Sequence, residues 1–287
     1  MTKISTAGMS RAEWLALRQR GIGGSDASAI MGVNPYRSAW SVWADKTGLL
    51  PAEDETEAMR QGRDLEDYVA RRFMEATSLR TRRSNYLLAS NEYPWMIANI
   101  DRWVISDRCG LECKTSKDIY LQKYQNGDYP IEYYTQCLHY MIVTGVRQWY
   151  LAVLVFGTDL LEFTIEYDEI DAQALINAER VFWHENVQKN IPPPADGSES
   201  TRRALGIVYP AGDGFVTAGE ADDQNLSALW NVKESIRQLR SKEDLYKNVL
   251  KARMQDADTL LGSQYYATWK STSKSDRVFR IAQSKGA

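Results

Sequence analysis

The residues best suited to chemistry lie close together near the middle of the chain. Asp101 closes an apolar run, Trp95-Met-Ile-Ala-Asn-Ile-Asp101, and a second run, Leu111-Glu-Cys-Lys-Thr115, follows across Ser106-Asp-Arg-Cys-Gly110. Side chains alternate along an extended strand, so Glu112 and Lys114 share one face while Cys113 points to the other. If the two runs pair as a hairpin, Asp101 comes beside Glu112. Two carboxylates facing one point suit a hard divalent cation, magnesium or manganese. A lysine beside that point fits phosphodiester hydrolysis, where the metal polarises a phosphoryl oxygen and the lysine orients water or stabilises charge. The triplet Glu112-x-Lys114 on its own equally fits a solvated strand face or a surface ion pair.

The bulk composition narrows the other possibilities. The chain has 287 residues, 44% hydrophobic and 25% charged, which is enough for one large α/β domain or a core with an appendage. Only two histidines occur, His139 and His184, so metal chemistry here rests on carboxylates rather than on a histidine-based transition-metal site. Cys109, Cys113 and Cys137 are an odd set without a secretion signal and read as free, mostly buried thiols. No apolar run approaches the ~20 residues of a membrane span, which makes the cytoplasm the expected location. The net charge is −3 with a pI near 5.6, which is unusual for a nucleic-acid binder unless positive charge is local. Arg18 with Arg20, and Arg80 with Arg82 and Arg83, are the candidate clusters; the second also reads as a solvated face.

The elements that must hold these groups follow from capping and periodicity. Ser10-Arg-Ala-Glu13 is a capping box opening a helix over 11–19. Gly21-Ile-Gly-Gly-Ser25-Asp26 is a turn leading into a short helix that ends near Gly32, and another helix spans Ser38 to about Lys46. Acidic residues 52–57 lead into a longer helix over 56–76. Strands are expected at 84–89, 94–106 and 111–115. A helix over 131–144 follows, then a strand pair at 149–156 and 161–167, and a helix over 169–189 stopped by Pro192-Pro193-Pro194. The fold class is α/β, a central mixed sheet flanked by helices. Residues 1–194 form the core, 195–201 a linker, and 195–287 an extension. In that extension Leu229, Val232, Ile236, Leu239, Tyr246 and Leu250 keep the spacing of one long amphipathic helix, 223–256, before a terminal hairpin.

Several short motifs in order carry a resemblance over most of the first 160 residues. Trp14-x3-Arg18, Gly-Ile-Gly-Gly-Ser25-Asp26, Gly62-x3-Glu66, Asp101, Glu112-x-Lys114 and Gln136-x3-Tyr140 resemble the YqaJ-type phage recombination nucleases. These are relatives of bacteriophage lambda exonuclease in the PD-(D/E)XK nuclease superfamily, whose restriction-endonuclease-like core the chain is then expected to share. The resemblance implies that Asp101 and Glu112 are direct metal ligands and that Lys114 is the catalytic lysine. It further implies that Glu66 adds a carboxylate, with Gly62 one turn earlier permitting close approach by substrate or sheet. Without the family, Glu66 is one more charge in Arg63-Asp-Leu-Glu-Asp67. The chain departs from the superfamily pattern in having Ile100, not proline, before Asp101.

Arg18 matches the family's 5′-phosphate-binding arginine, and the Gly23-Gly24-Ser25 turn adds backbone N–H groups that favour an anion. The plain reading of that turn is a glycine-rich bend with a Ser25 cap. Asn99 stands where the lambda enzyme has a serine near the phosphate. Gln136 and Tyr140 match a pair that touches the substrate backbone; without the family Tyr140 is core. The implied activity is Mg²⁺-dependent digestion of double-stranded DNA ends from 5′ to 3′, leaving 3′ overhangs for recombination, with manganese able to substitute. A single-strand annealing protein and a homo-oligomer, in the lambda enzyme a trimeric ring, are the implied partners. An endonuclease with the same metal core, and a non-catalytic scaffold that binds DNA ends, are the alternatives. The iron–sulfur branch of the superfamily needs four cysteine ligands and is set aside.

Overall fold

A short strand, β1 (Thr2–Ser5), precedes α1 (Arg11–Arg18), which begins where sequence predicts. The Ser10 backbone N–H donates to Glu13 at 2.8 Å, and the Glu13 N–H donates back to Ser10 Oγ at 3.3 Å. Helices α2 (Gly24–Ile30), α3 (Ala39–Lys46) and α4 (Glu57–Thr77) follow. This computed structural model describes residues 1–51, 56–118, 122–271 and 277–284. Most of the acidic lead-in expected at 52–57 therefore lies outside the described residues.

The catalytic candidates sit where two sheets meet. Strands β2 (Thr81–Arg83), β3 (Tyr86–Ala89), β4 (Ile97–Asn99), β5 (Arg102–Val104) and β6 (Cys109–Ser116) come first. Helix α5 (Ile131–Thr144), strands β7 (Gln148–Val155) and β8 (Leu160–Glu166), and helix α6 (Glu169–Val181) complete the set. The five-stranded sheet runs β2-β5-β6-β7-β8, and a three-stranded sheet runs β1-β3-β4. Only β6 and β7 are parallel, with α5 in the connection between them; the other neighbours are antiparallel. The sheet is therefore mixed, as expected. β7 is buried along nearly its whole length, as a central strand covered on both faces must be. Trp149, Leu151 and Val153 pack with α5 residues such as Leu138 and Met141, whereas Leu111, Ala152 and Leu154 pack with Val69 and Phe73 of α4.

Three expectations need correction. The run 94–106 is not one strand: β4 and β5 belong to different sheets, and the chain switches sheets at Ile100-Asp101. Hydrophobicity continues across that switch because both sheets face apolar neighbours, so periodicity hides it. The helix expected to reach 189 is α-helical to Val181 and then widens to π-helical turns over Phe182–Val187. Residues 195–201 are not a linker, because they start helix α7 (Glu199–Val208). Ser198 caps α7, buried Thr201 donates to Ser38 Oγ at 2.8 Å, and Ala204 joins the cluster around Trp40 and Trp43. The small polar residues that suggested a linker are a cap and buried hydrogen bonds.

The chain divides into units Met1–Gly212 and Asp213–Ala287, which moves the boundary from 194/195 to 212/213. The second unit holds α8 (Glu220–Met254), a single long helix close to the predicted range, and a sheet of β9 (Thr259–Leu261), β10 (Tyr265–Ser271) and β11 (Arg277–Gln283). The predicted terminal hairpin is β10 and β11, joined by a third strand.

Candidate active site

The hairpin register delivers the predicted juxtaposition. Arg102 of β5 pairs with Leu111 of β6, so Asp101, one residue earlier, stands next to Glu112. The Cys113 backbone N–H donates to Asp101 Oδ2 at 2.9 Å, which fixes the carboxylate at the point where the chain leaves one sheet for the other. Alternation puts Glu112 and Lys114 on the face covered by α5. Lys114 Nζ lies 2.6 Å from Glu112 Oε1 and donates to Gln136 Oε1 at 2.9 Å. Gln136 in turn donates through Nε2 to Glu112 Oε1 at 2.6 Å and to the Tyr140 hydroxyl at 2.9 Å. The ammonium also lies 5.4 Å from the Tyr133 ring.

Electrostatically one ammonium, Lys114, faces two carboxylates. Glu112 is 2% exposed, and its buried Oε2 has no hydrogen-bond partner among the described residues. Burial, joined by the charges of Glu112 and Glu66, pushes Asp101 well above the usual carboxylate range, against Lys114 and the Cys113 N–H. Burial likewise pushes Glu112 up, against Lys114. Burial works to lower Lys114, but Glu112 and Asp101 outweigh it and hold the ammonium above its ordinary value. Lys114 is thus a cation at neutral pH.

Glu66 does not join that pair. It comes from α4, and its Oε1 is bound by the Arg102 guanidinium, which also grips Asp67. Arg83 stands 3.6 Å from Asp67, so one member of the second arginine cluster belongs to this ion-pair lattice. No three Asp, Glu, His or Cys side chains converge as a metal site among the described residues. The close carboxylates are two, Asp101 and Glu112. Gly62 has nothing among the described residues within 4 Å of where a β-carbon would lie, so none of them makes a close approach there.

Beside the carboxylates is a cavity of about 170 Å³ lined by Arg18, Gly23, Gly24, Ser25, Ile97, Asn99, Gln136 and Tyr140. The sequence motifs at 18, 23–25, 99, 136 and 140 thus meet in one place. Arg18 Nη2 donates to Ser25 Oγ at 2.8 Å, and its guanidinium lies 5.0 Å from the Trp14 ring, which accounts for the Trp14-x3-Arg18 spacing on α1. A β-carbon on Gly24 would lie 2.5 Å from the Tyr140 ring, so glycine is required for α2 to approach α5 this closely. The expected role of the turn's N–H groups is altered: the Gly23 N–H donates to Asp26 at 3.1 Å.

Some participants left no usable signal in the sequence. Asp26 stands inside the glycine-rich motif, but Arg37 and Lys46, which contact its carboxylate at 2.7 and 2.8 Å, belong to no motif. Burial would raise Asp26, yet Lys46, Arg37 and Arg18 outweigh it and hold the carboxyl far below the usual range. His139 is fully buried; its Nδ1 lies 2.7 Å from Glu179 Oε1 and its Nε2 2.9 Å from the Ile97 carbonyl oxygen, tying α5 to α6 and β4. That leaves His139 structural. The three cysteines are free, as expected.

Comparison with known proteins bears on this geometry. A model of the YqaJ-like viral recombinase domain matches residues 13–147. Protein YqaJ of Bacillus subtilis (strain 168) is 34% identical over 267 residues, covering 91% of this chain and 84% of that one. The alkaline exonuclease LHK-Exo from Laribacter hongkongensis superposes with a TM-score of 0.53 at 17% identity, covering 63% of this chain and 94% of that one. Its complex with dAMP gives 0.54 at 18% identity with the same coverage. These structures share the fold. Since the match to YqaJ runs over nearly all of both chains, the protein belongs to the YqaJ-like viral recombinase family.

Proposed function

We propose that the protein is a Mg²⁺-dependent exonuclease that digests one strand of duplex DNA from its 5′ end and leaves 3′ overhangs for annealing-type recombination. The observation that carries this reading is the buried Oε2 of Glu112, without a hydrogen-bond partner among the described residues, beside Asp101. A buried carboxylate oxygen without a donor is costly, and a second carboxylate beside it adds repulsion, so a hard dication bound by oxygen ligands fits the pair. Asp101 and Glu112 would hold it. Glu66 would join only on leaving Arg102. The ion would supply charge against the phosphoryl oxygens and lower the pKa of water.

The chain's own groups do the rest. Lys114, an ammonium 2.6 Å from Glu112, donates hydrogen bonds and stabilises negative charge on the phosphoryl oxygens. Gln136 fixes Lys114 and Glu112 in one orientation. Tyr140, anchored by Gln136, closes the wall shared by the acidic site and the cavity. Arg18, the Ser25 hydroxyl and Asn99, which line the same cavity, offer donors of the kind that bind a phosphate. A phosphate seated there would set the first nucleotide of a DNA end against the carboxylates. A relative of the same fold has been crystallised with dAMP, a deoxynucleoside monophosphate, which accords with such a seat.

The protein acts in the cytoplasm of the host cell, with a single-strand annealing protein as partner. Assembly into a ring around DNA would reconcile an acidic average charge with a basic channel. The test compares linear and covalently closed duplexes, with 5′-phosphate or 5′-hydroxyl ends, with and without Mg²⁺, for the wild type and Glu112→Ala. Loss of linear DNA alone, faster with 5′-phosphate and absent in the variant, is the expected result. Cutting of the closed circle would establish the endonuclease reading instead, and absence of cleavage with Mg²⁺, or with Mn²⁺ in its place, would leave a DNA-end-binding scaffold.

A further inference from the structure

Immediately behind the cavity, one buried carboxylate faces three cations. Asp26 is fully buried. Its Oδ1 accepts from Arg37 Nη1 at 2.7 Å, and its Oδ2 takes Lys46 Nζ at 2.8 Å together with the Gly23 N–H at 3.1 Å. Arg18 Nη2 stands 4.0 Å from that same Oδ2 and donates instead to Ser25 Oγ at 2.8 Å. The Lys46 side chain is 2% exposed, and its ammonium also donates to the Arg18 carbonyl oxygen at 2.9 Å. One lysine thus fills the carboxylate oxygen nearest Arg18 and holds the Arg18 backbone in place. Arg37 also pairs with Asp45 at 3.2 Å, so three cations and two carboxylates leave a surplus of one positive charge, and Arg18 is the cation of the three that lines the cavity. A terminal phosphate carries about −1.5 to −2 charges at neutral pH, whereas an internal phosphodiester carries one.

We propose that Lys46 is a positioning residue that saturates Asp26, so that the Arg18 guanidinium stays turned to the cavity and discriminates a terminal phosphate from a hydroxyl end. This rests on the reading of the cavity as a phosphate seat. Asp26 is then a competitor for Arg18 that Lys46 neutralises. Without Lys46, Oδ2 loses its charged partner, and Arg18, about one ångström beyond hydrogen-bonding reach, moves onto it and away from Ser25. Charge-assisted pairs of this kind are the strong ones, so the guanidinium does not serve both anions.

The experiment measures kcat/KM on duplexes with 5′-phosphate and with 5′-hydroxyl ends, as a ratio, for wild type, Lys46→Met, Lys46→Arg and the double variant Asp26→Asn/Lys46→Met. The ratio should fall about tenfold in Lys46→Met, chiefly through KM, and persist in Lys46→Arg. In the double variant it should return to near the wild-type value, because nothing remains to draw Arg18 away. A role in stability alone would not produce that recovery. An unchanged ratio in Lys46→Met, or a folded double variant that has lost the ratio, overturns the proposal while leaving the phosphate seat intact. Should Lys46→Met fail to fold, the double variant decides by the same criterion. A wild type indifferent to the 5′-phosphate would remove the seat itself, and this proposal with it.

Discussion

Burial raises the carboxyl pKa values of both Asp101 and Glu112 against the single ammonium of Lys114, and that has a measurable consequence without any turnover. Mg²⁺ should raise the melting temperature of the wild type, by linkage about 2.7 kcal/mol at one hundred times its Kd. The shift should vanish in Glu112→Gln and Asp101→Asn, a difference that calorimetric scans with Mg²⁺ and with EDTA would resolve. Strand alternation made the shared face of Glu112 and Lys114 legible in the sequence, because a period of two leaves no other choice once the segment is extended. It could not reveal what reaches them. Gln136 arrives from 22 and 24 residues away, and its bridging role is a product of how α5 lies across β6. The sequence also gave no hint that Arg102, next to Asp101, would take up Glu66, because a charged residue in a strand announces neither its face nor its partner.

Helix α5 is the element through which the site is coupled to the rest of the core, and two substitutions address it. Gly24→Ala puts a methyl group 2.5 Å from the Tyr140 ring, so either α2 or Tyr140 must shift. Overpacking of this kind costs about 1–3 kcal/mol, to be read as a lower urea midpoint, and displacement of Tyr140 should lower activity with it. The second concerns His139. Its Nε2 meets the Ile97 carbonyl oxygen and so carries a proton, while Nδ1 and Glu179 share one proton between them. Burial would lower the His139 pKa, but the Glu179 carboxylate and the hydrogen bonds outweigh it and raise it. The folded state therefore binds this proton more tightly than the unfolded chain does. The associated stability is complete below about pH 6.5 and is lost as pH rises through the higher folded-state value. Urea midpoints should fall across that alkaline window in the wild type, with a flatter profile in Glu179→Gln. That variant should also be less stable at pH 6, by roughly 3–5 kcal/mol for a broken buried pair. Local signals placed α5 and its end at Gly145, yet they could not place the break between β4 and β5, where apolar residues run on through a change of sheet.

The three hydrophobic clusters found among the described residues all belong to the first unit, which should stand alone. A fragment ending at Gly212 keeps every residue of the site together with α7. It should unfold in a single cooperative transition and retain the Mg²⁺-induced shift in melting temperature; a fragment ending at 194, the boundary suggested by sequence, should be less stable because it uncovers Trp40 and Trp43. The second unit was legible as a helix because the 3-4 spacing from Leu229 to Leu250 persists through Ser241-Lys-Glu-Asp244. Spacing shows that an apolar stripe exists but does not say what covers it, and Leu229, Val232, Ile236 and Leu239 are exposed. The far end of the helix is fastened: Met254 is buried, Lys251 lies 5.7 Å from the Trp269 ring, and Arg277 donates to the Gln255 and Ala257 carbonyl oxygens at 2.7 Å. At 1.5 Å per residue, the 35 residues of α8 span about 52 Å, the length of roughly fifteen base pairs of duplex. With its small sheet fastened near one end only, α8 carries its first residue about 52 Å away from that anchored end.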